Sequence, residues 1–164
     1  DAQYGIELWR AGLPGPPTTG AVLAAGNICL GVGDALEARA ATDGKLLWRN
    51  PAAPAGAMLA DGRQIACVSR QGFLVLVDAE TGQTQASVGG ADKAVPPVLT
   101  RNGILFAREG SLVLLRREGE ASPAAMPWMD ISWLGTLTSP VIVDESRVYF
   151  ATDKRGFLCA GARP

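Results

Sequence analysis

An all-β chain built from a repeated unit of four short strands is what this sequence predicts, on three observations. The apolar runs are short, rich in β-branched and aromatic residues, and separated by Gly, Asp or Asn, as in Ile104-Leu-Phe-Ala107 and Val148-Tyr-Phe-Ala151. No segment sustains the 3.6-residue apolar period of an amphipathic helix. The runs also recur. Aligning Gly44 with Gly82 lays residues 34–48 on residues 72–86 at a shift of 38, and the same shift carries Gly72 to Gly110. A period of about 40 residues is the spacing of stacked repeats, whose faces are buried only against their neighbours.

Taken along the chain, the first element is Gly5-Ile-Glu-Leu-Trp9-Arg10, which repeats 39 residues later as Gly44-Lys-Leu-Leu-Trp48-Arg49 and so reads as a lone last strand, D. Each full unit then reads as strand A (Pro97-Val-Leu-Thr100, Pro140-Val-Ile-Val143), B (residues 104–107), C (residues 112–115) and D (Leu46-Leu-Trp48). Prolines at strand starts cost no ladder donor. The third copy, Gly110-Ser-Leu-Val-Leu-Leu-Arg-Arg-Glu-Gly119, is one residue shorter before its turn glycine and loses its D strand to residues 118–123. The fourth C strand is expected at Gly156-Phe157-Leu158-Cys159, after an interval of 46. Four antiparallel strands per unit match a β-propeller blade. The expected organisation is one domain over 1–164, with repeats at about 11–50, 51–90, 91–135 and 136–164, the last completed by residues 5–10. This strand clasp closes either a four-bladed ring within the chain or, by exchange between two chains, an eight-bladed one. A segment of a longer propeller is the third possibility.

Val148-Tyr-Phe-Ala-Thr152, Gly156-Phe-Leu, Asp78-Ala-Glu-Thr-Gly82 and Gly44-Lys-Leu-Leu-Trp48 resemble successive parts of the PQQ-like repeat, the blade of quinoprotein-type β-propellers. Residues 72–82 resemble its centre almost completely, although Trp48 has Ala86 as its counterpart in the next copy. The family includes the propeller lipoprotein of the outer-membrane barrel-assembly machinery. The resemblance therefore implies an extracytoplasmic, periplasmic location in a bacterium and a role in binding other proteins. It also brings a runner-up, a fragment or subunit of a PQQ-dependent quinoprotein oxidoreductase. Against that, the adjacent cysteine pair of such sites is absent and no Glu-Asn-Asp calcium set stands out, so no cofactor and no metal are expected.

Composition narrows the chemistry. The chain has 164 residues and no histidine, which removes Ser-His-Asp and Cys-His nucleophile systems and His-ligated metals. With 15 Lys and Arg against 16 Asp and Glu, the net charge of -1 gives no long-range pull on nucleic acid or anionic lipid. The longest uncharged stretch, residues 11–33, holds three prolines and is no membrane span. Cys29, Cys67 and Cys159 are odd in number and far apart, which reads as buried thiols rather than a disulfide framework. The start at Asp1, without methionine, is expected to follow removal of an upstream segment.

In a propeller the B–C and D–A connections share one face. The B–C connections bring Asp34, Arg70, Arg108, Glu109, Asp153, Lys154 and Arg155 to that rim, a solvated charged surface or a docking face with arginine anchors. Residues 124–135 hold Met126, Trp128, Met129 and Trp133, and are expected in the D–A connection of that face. Trp and Met enrich interface cores, but these residues could also fold back as packing or supply the missing D strand. The partner-binding candidates are Arg70, Arg108, Trp128, Met129, Trp133, Lys154 and Arg155, with a protein as partner and a homodimer or a larger complex as setting. No residue is singled out as catalytic, and the chain reads as a non-enzyme; a carbohydrate-binding propeller is the third reading.

Overall fold

The computed structural model describes residues 5–116, 124–144 and 147–161. Residues 118–123, where the sequence loses a D strand, lie outside these. Strands β1 (Val22–Ala24), β2 (Asn27–Val32), β3 (Ala35–Ala40) and β4 (Leu46–Asn50) form one antiparallel sheet in chain order. The second sheet follows in the same order: β5 (Pro54–Asp61), β6 (Gln64–Ser69), β7 (Phe73–Asp78), β8 (Thr84–Gly89). The third has β9 (Val98–Thr100), β10 (Gly103–Arg108), β11 (Ser111–Arg116) and β12 (Ala125–Asp130). The fourth has three strands: β13 (Ile142–Asp144), β14 (Arg147–Thr152) and β15 (Gly156–Gly161). These are blades 1 to 4 of a β-propeller. A short 3-10 helix, Ser132–Leu134, is the sole helical element among the described residues.

The meander forms because turn residues supply left-handed backbone where two-residue hairpins need it. Gly26 (φ 74°) and Gly110 (φ 77°) do so, each preceded by a strained non-glycine, Ala25 at φ 49° and Glu109 at φ 46°. The Ala-Glu-Thr-Gly turn of blade 2 is built by Asp78, whose Oδ1 accepts the N–H groups of Glu80 and Thr81 and the Thr81 hydroxyl. These bonds, those to Thr81 foremost, and the Arg63 guanidinium hold the Asp78 carboxyl below its ordinary range despite some desolvation.

Three apolar cores lie between consecutive blades. Cys29, Leu36 and Ala38 of blade 1 meet Ile65, Cys67, Val75 and Val77 of blade 2. Leu74 and Leu76 meet Ile104, Phe106, Val113 and Leu115. Leu105 and Leu112 meet Val148 and Phe150, with Leu158 and Ala160 packed against them. Burial pushes the thiols up, Cys29 to about 11 and Cys67 to about 12, so both are protonated hydrophobes at neutral pH. Cys159 is free and exposed, unlike the buried thiol expected there.

Two further expectations are corrected. Residues 125–130 are strand β12, the D strand of blade 3, instead of part of the D–A connection, and the extra length of this repeat is shared between the β11–β12 connection and the D–A connection that follows β12. The fourth C strand is displaced by one residue: Thr152 pairs with Gly156 across a three-residue turn, which puts Phe157, not Leu158, in the place of Leu112. A one-residue slip turns every side chain to the other face. Leu158 and Ala160 therefore face blade 3, and Phe157 and Cys159 face away.

Residues 6–10 lie outside the four sheets, yet they dock as the repeat demands. The Trp9 indole N–H donates to Ala41 O at 3.0 Å and its ring covers Gly44, while the Trp48 indole donates to Ala79 O at 3.0 Å and covers Gly82. A side chain on Gly44 or Gly82 would collide with the indole, which is why these turns need glycine.

Candidate functional site

The B–C turns and D–A connections of blades 3 and 4 converge. Ala91 bridges to Arg108, and the Asp92 N–H donates to Ala107 O at 2.9 Å, which ties the incoming connection of blade 3 to its B–C turn. The outgoing connection is tied to the same turn by the Ile131 N–H, which donates to Gly110 O at 2.9 Å. It then crosses to blade 4, where Thr152 Oγ donates to Leu134 O at 2.8 Å and Asp153 Oδ1 accepts the Thr136 N–H at 2.8 Å. Gly135, at φ 106°, makes room for that carboxylate: a Cβ there would clash with Asp153.

Between these connections lies a cavity of about 310 Å³, lined among others by Asp92, Arg108, Glu109, Ser132, Thr136 and Lys154. Two cations and two carboxylates share its wall, so charge alone does not favour an anionic or a cationic occupant. Gly90 sits beneath the Arg108 and Glu109 side chains, which approach the place of its missing Cβ to 3.1 and 3.0 Å. On the rim, Trp133 is 64% exposed, and the Arg155 guanidinium stands 5.9 Å from its ring centroid, within cation–π range. Ser132 gives its N–H to Asp130 Oδ1 at 2.9 Å, and its hydroxyl and N–H hold the Asp130 carboxyl below its ordinary range.

Of the seven candidates, Arg108 and Lys154 line the cavity, and Trp133 with Arg155 flanks it. Met129 packs against the core between blades 3 and 4. Trp128 is half-exposed on β12 at the step where the ladder with β11 shifts register, outside the cavity wall. Arg70 is exposed on the B–C turn of blade 2, apart from this cavity. Sequence reasoning missed Asp92, Ser132 and Thr136, and the available signal was positional, since all three stand in D–A connections of the face already singled out. Among the described residues no group of His, Cys, Asp and Glu is placed to hold a metal, and no helix is long and apolar enough to cross a membrane.

The fold is a propeller whose connection from blade 3 to blade 4 folds over a charged cavity. The family model for outer membrane protein assembly factor BamB matches residues 1–164. The chain belongs to this family. No curated protein matches it. Among solved structures it is similar to BamB from Moraxella catarrhalis, at 15% identity and TM-score 0.69, over 94% of this chain and 49% of that one. It is also similar to the computationally designed Ika4 protein, at 13% identity and TM-score 0.65, covering 97% of this chain and 99% of that one. The designed Ika8 protein matches at 14% identity and TM-score 0.61, over 96% and 49% respectively. At such identities the likeness shows the fold, and this BamB-family chain spans about half the length of the Moraxella protein.

Proposed function

We propose that this chain is a non-catalytic protein-binding module of an outer-membrane assembly apparatus, located in the periplasm, and that it docks its partner on the B–C and D–A face of blades 3 and 4. The observation that carries the reading is the Trp133–Arg155 pair: a large aromatic left 64% exposed, with an arginine guanidinium over its ring at 5.9 Å, beside a walled cavity. Exposed Trp and Arg at the rim of a pocket are the residue types on which binding energy concentrates. Arg108 and Lys154 supply cationic donors within the cavity, and Asp92 and Glu109 supply acceptors. Such a mixed wall suits a peptide segment, which carries both kinds of group in its backbone. Membership in the family of outer membrane protein assembly factor BamB supports the class of partner.

The test is affinity capture of the tagged chain from envelopes of its source bacterium, with the bound proteins identified. The expected result is outer-membrane assembly proteins in stoichiometric amount. Trp133→Ala with Arg155→Glu should lower their capture at least tenfold while circular dichroism is unchanged. Undiminished capture by that folded variant would overturn the docking face.

A further inference from the structure

A second hollow opens at the joint between blades 1 and 2, apart from the cavity of blades 3 and 4. It measures about 280 Å³, is open to solvent, and lies between the D–A connection of blade 1 and the B–C turn and last two strands of blade 2. Its wall includes Asn50, Ser69, Gln71, Phe73, Thr84 and Ser87, and none of the residues lining it is charged. Phe73 continues the row of Val75 and Val77 that packs on blade 1, because alternate residues of a strand share a face. Unlike those two, it is left 44% exposed. Its ring rests against Gly89, its partner across the β7–β8 ladder, where a Cβ would stand 3.3 Å from it. The glycine seats a flat aromatic surface at the edge of the hollow.

The polar groups around that ring are of two kinds. Asn50 is fully engaged: its Nδ2 donates to Gly82 O at 2.7 Å and to Thr84 Oγ1 at 3.1 Å, and its Oδ1 accepts the Ala52 N–H at 2.8 Å. It fixes Thr84, whose hydroxyl keeps a proton to give. Buried Ser69 likewise accepts the Phe73 N–H at 3.2 Å and keeps its own proton. The Gln71 amide and the Ser87 hydroxyl make no hydrogen bond to a described residue. The outline of the hollow belongs to the repeat, since the joint of blades 2 and 3 has one of about 250 Å³. Its chemistry does not: there Ser111 and Pro127 stand where Phe73 and Ser87 do, and Arg108 and Glu109 add charge.

We infer that the hollow between blades 1 and 2 is a binding site for a pyranose unit of a neutral glycan. An all-equatorial pyranose presents a flat face of axial C–H bonds, which suits the Phe73 ring, and a rim of hydroxyls, each both donor and acceptor. Thr84 and Ser69 have protons to give to that rim, and Gln71 and Ser87 can give and accept. A wall without charge offers nothing to offset the desolvation of a phosphate, carboxylate or ammonium. An apolar peptide anchor fills a pocket, whereas Phe73 offers a surface. The volume lies at the small end of ligand sites, which run to roughly 300–1,000 Å³, and suits a single sugar unit held from one side. The site is independent of the docking face on blades 3 and 4.

The test is saturation-transfer NMR of the purified chain with cellotetraose and with chitotetraose, both neutral chains of all-equatorial pyranoses. The expected result is transfer to the sugar C–H protons, with a Kd of roughly 0.1–1 mM, as a small open site gives. Phe73→Ala should weaken binding at least tenfold with unchanged circular dichroism, and Phe73→Trp, which keeps an aromatic surface, should retain it. The double variant Gln71→Ala/Ser87→Ala, changed only at exposed positions, should weaken binding at least fivefold and keeps the test valid if truncating Phe73 disturbs the fold. No transfer to either sugar at about 5 mM would overturn the inference. Transfer undiminished in the double variant or in folded Phe73→Ala would also overturn it, by placing the sugar elsewhere on the propeller.

Discussion

The joint between blades 1 and 2 and the joint between blades 3 and 4 are built from the same repeat and held in different places. At the first, the contact is completed on the outer rim: Trp48 lies on the next blade's turn and Asn50 Nδ2 donates to Gly82 O at 2.7 Å. At the second, Met126 takes the place of that tryptophan in the ladder, opposite Leu114 as Trp48 is opposite Ala38, and stays 44% exposed. The contact is made on top instead, where Ile131 and Leu134 are buried and Thr152 and Asp153 bind the connection from below. Moving the latch from rim to face is what creates the cavity and frees Trp133. Regular joints carry the fold, and the irregular joint carries the surface that differs from a plain repeat.

The largest expected effect tests the part that both joints share. Phe150 is 1% exposed in the core between blades 3 and 4, and Phe150→Ala should cost about 4 kcal/mol of unfolding free energy by urea titration, as truncating a buried aromatic does. Trp133→Ala, on the same joint but outside the core, should shift it by less than about 0.5 kcal/mol, as exposed substitutions do. Equal losses in the two variants would erase the distinction between scaffold and docking surface.

The rim latch of the first joint comes next. Gly82 has φ 74° and the Trp48 ring where a Cβ would stand, so Gly82→Ala should cost roughly 2 kcal/mol from the left-handed backbone and the lost seat of the indole together. Trp48→Phe, which keeps an aromatic ring and gives up the bond to Ala79 O, should cost about 1 kcal/mol. The top latch has its counterpart in Thr152→Val, which deletes the 2.8 Å bond to Leu134 O and leaves a buried carbonyl without that donor. That change should cost about 1–3 kcal/mol. It should also weaken partner capture, whereas Trp48→Phe should leave capture unchanged.

How far these differences could be read from the sequence follows from their physical range. The blades were legible because turn chemistry is local: Asp78, Thr81 and Gly82 announce a turn wherever they stand. Strand β12 was not, because Ala-Met-Pro-Trp-Met-Asp has a proline and no β-branched residue, and it forms as the outermost strand of its sheet, where a missing donor is tolerated. The displaced fourth C strand was hidden by one residue of turn length, which leaves the glycine in view and inverts the faces around it. The rim charges Arg108, Lys154 and Arg155 were found as a set, because loop order fixes the face. That Trp133 joins them while Trp128 and Arg70 do not depends on where residues 131–137 fold, and that is decided by contacts across two blades.

The smallest expected effect separates the joints by their thiols. Cys29 and Cys67 sit in the first joint, while the second has a Leu, Phe and Ile core. In the unfolded chain both thiols ionise near the ordinary 9.0, and in the folded chain near 11 and 12. Above pH 9 the folded state holds protons that the unfolded state has released, so stability must fall as pH rises, and below pH 9 the two thiols contribute no slope. The loss should run at up to roughly 1.4 kcal/mol per pH unit for each thiol. Urea midpoints measured between pH 8.5 and 10.5 should therefore decline more steeply for the unmodified chain than for Cys29→Ala/Cys67→Ala, whose own lower midpoint at pH 8.5 reports the two small cavities. Parallel declines would mean that water reaches the thiols, and that the first joint opens more readily than its packing implies.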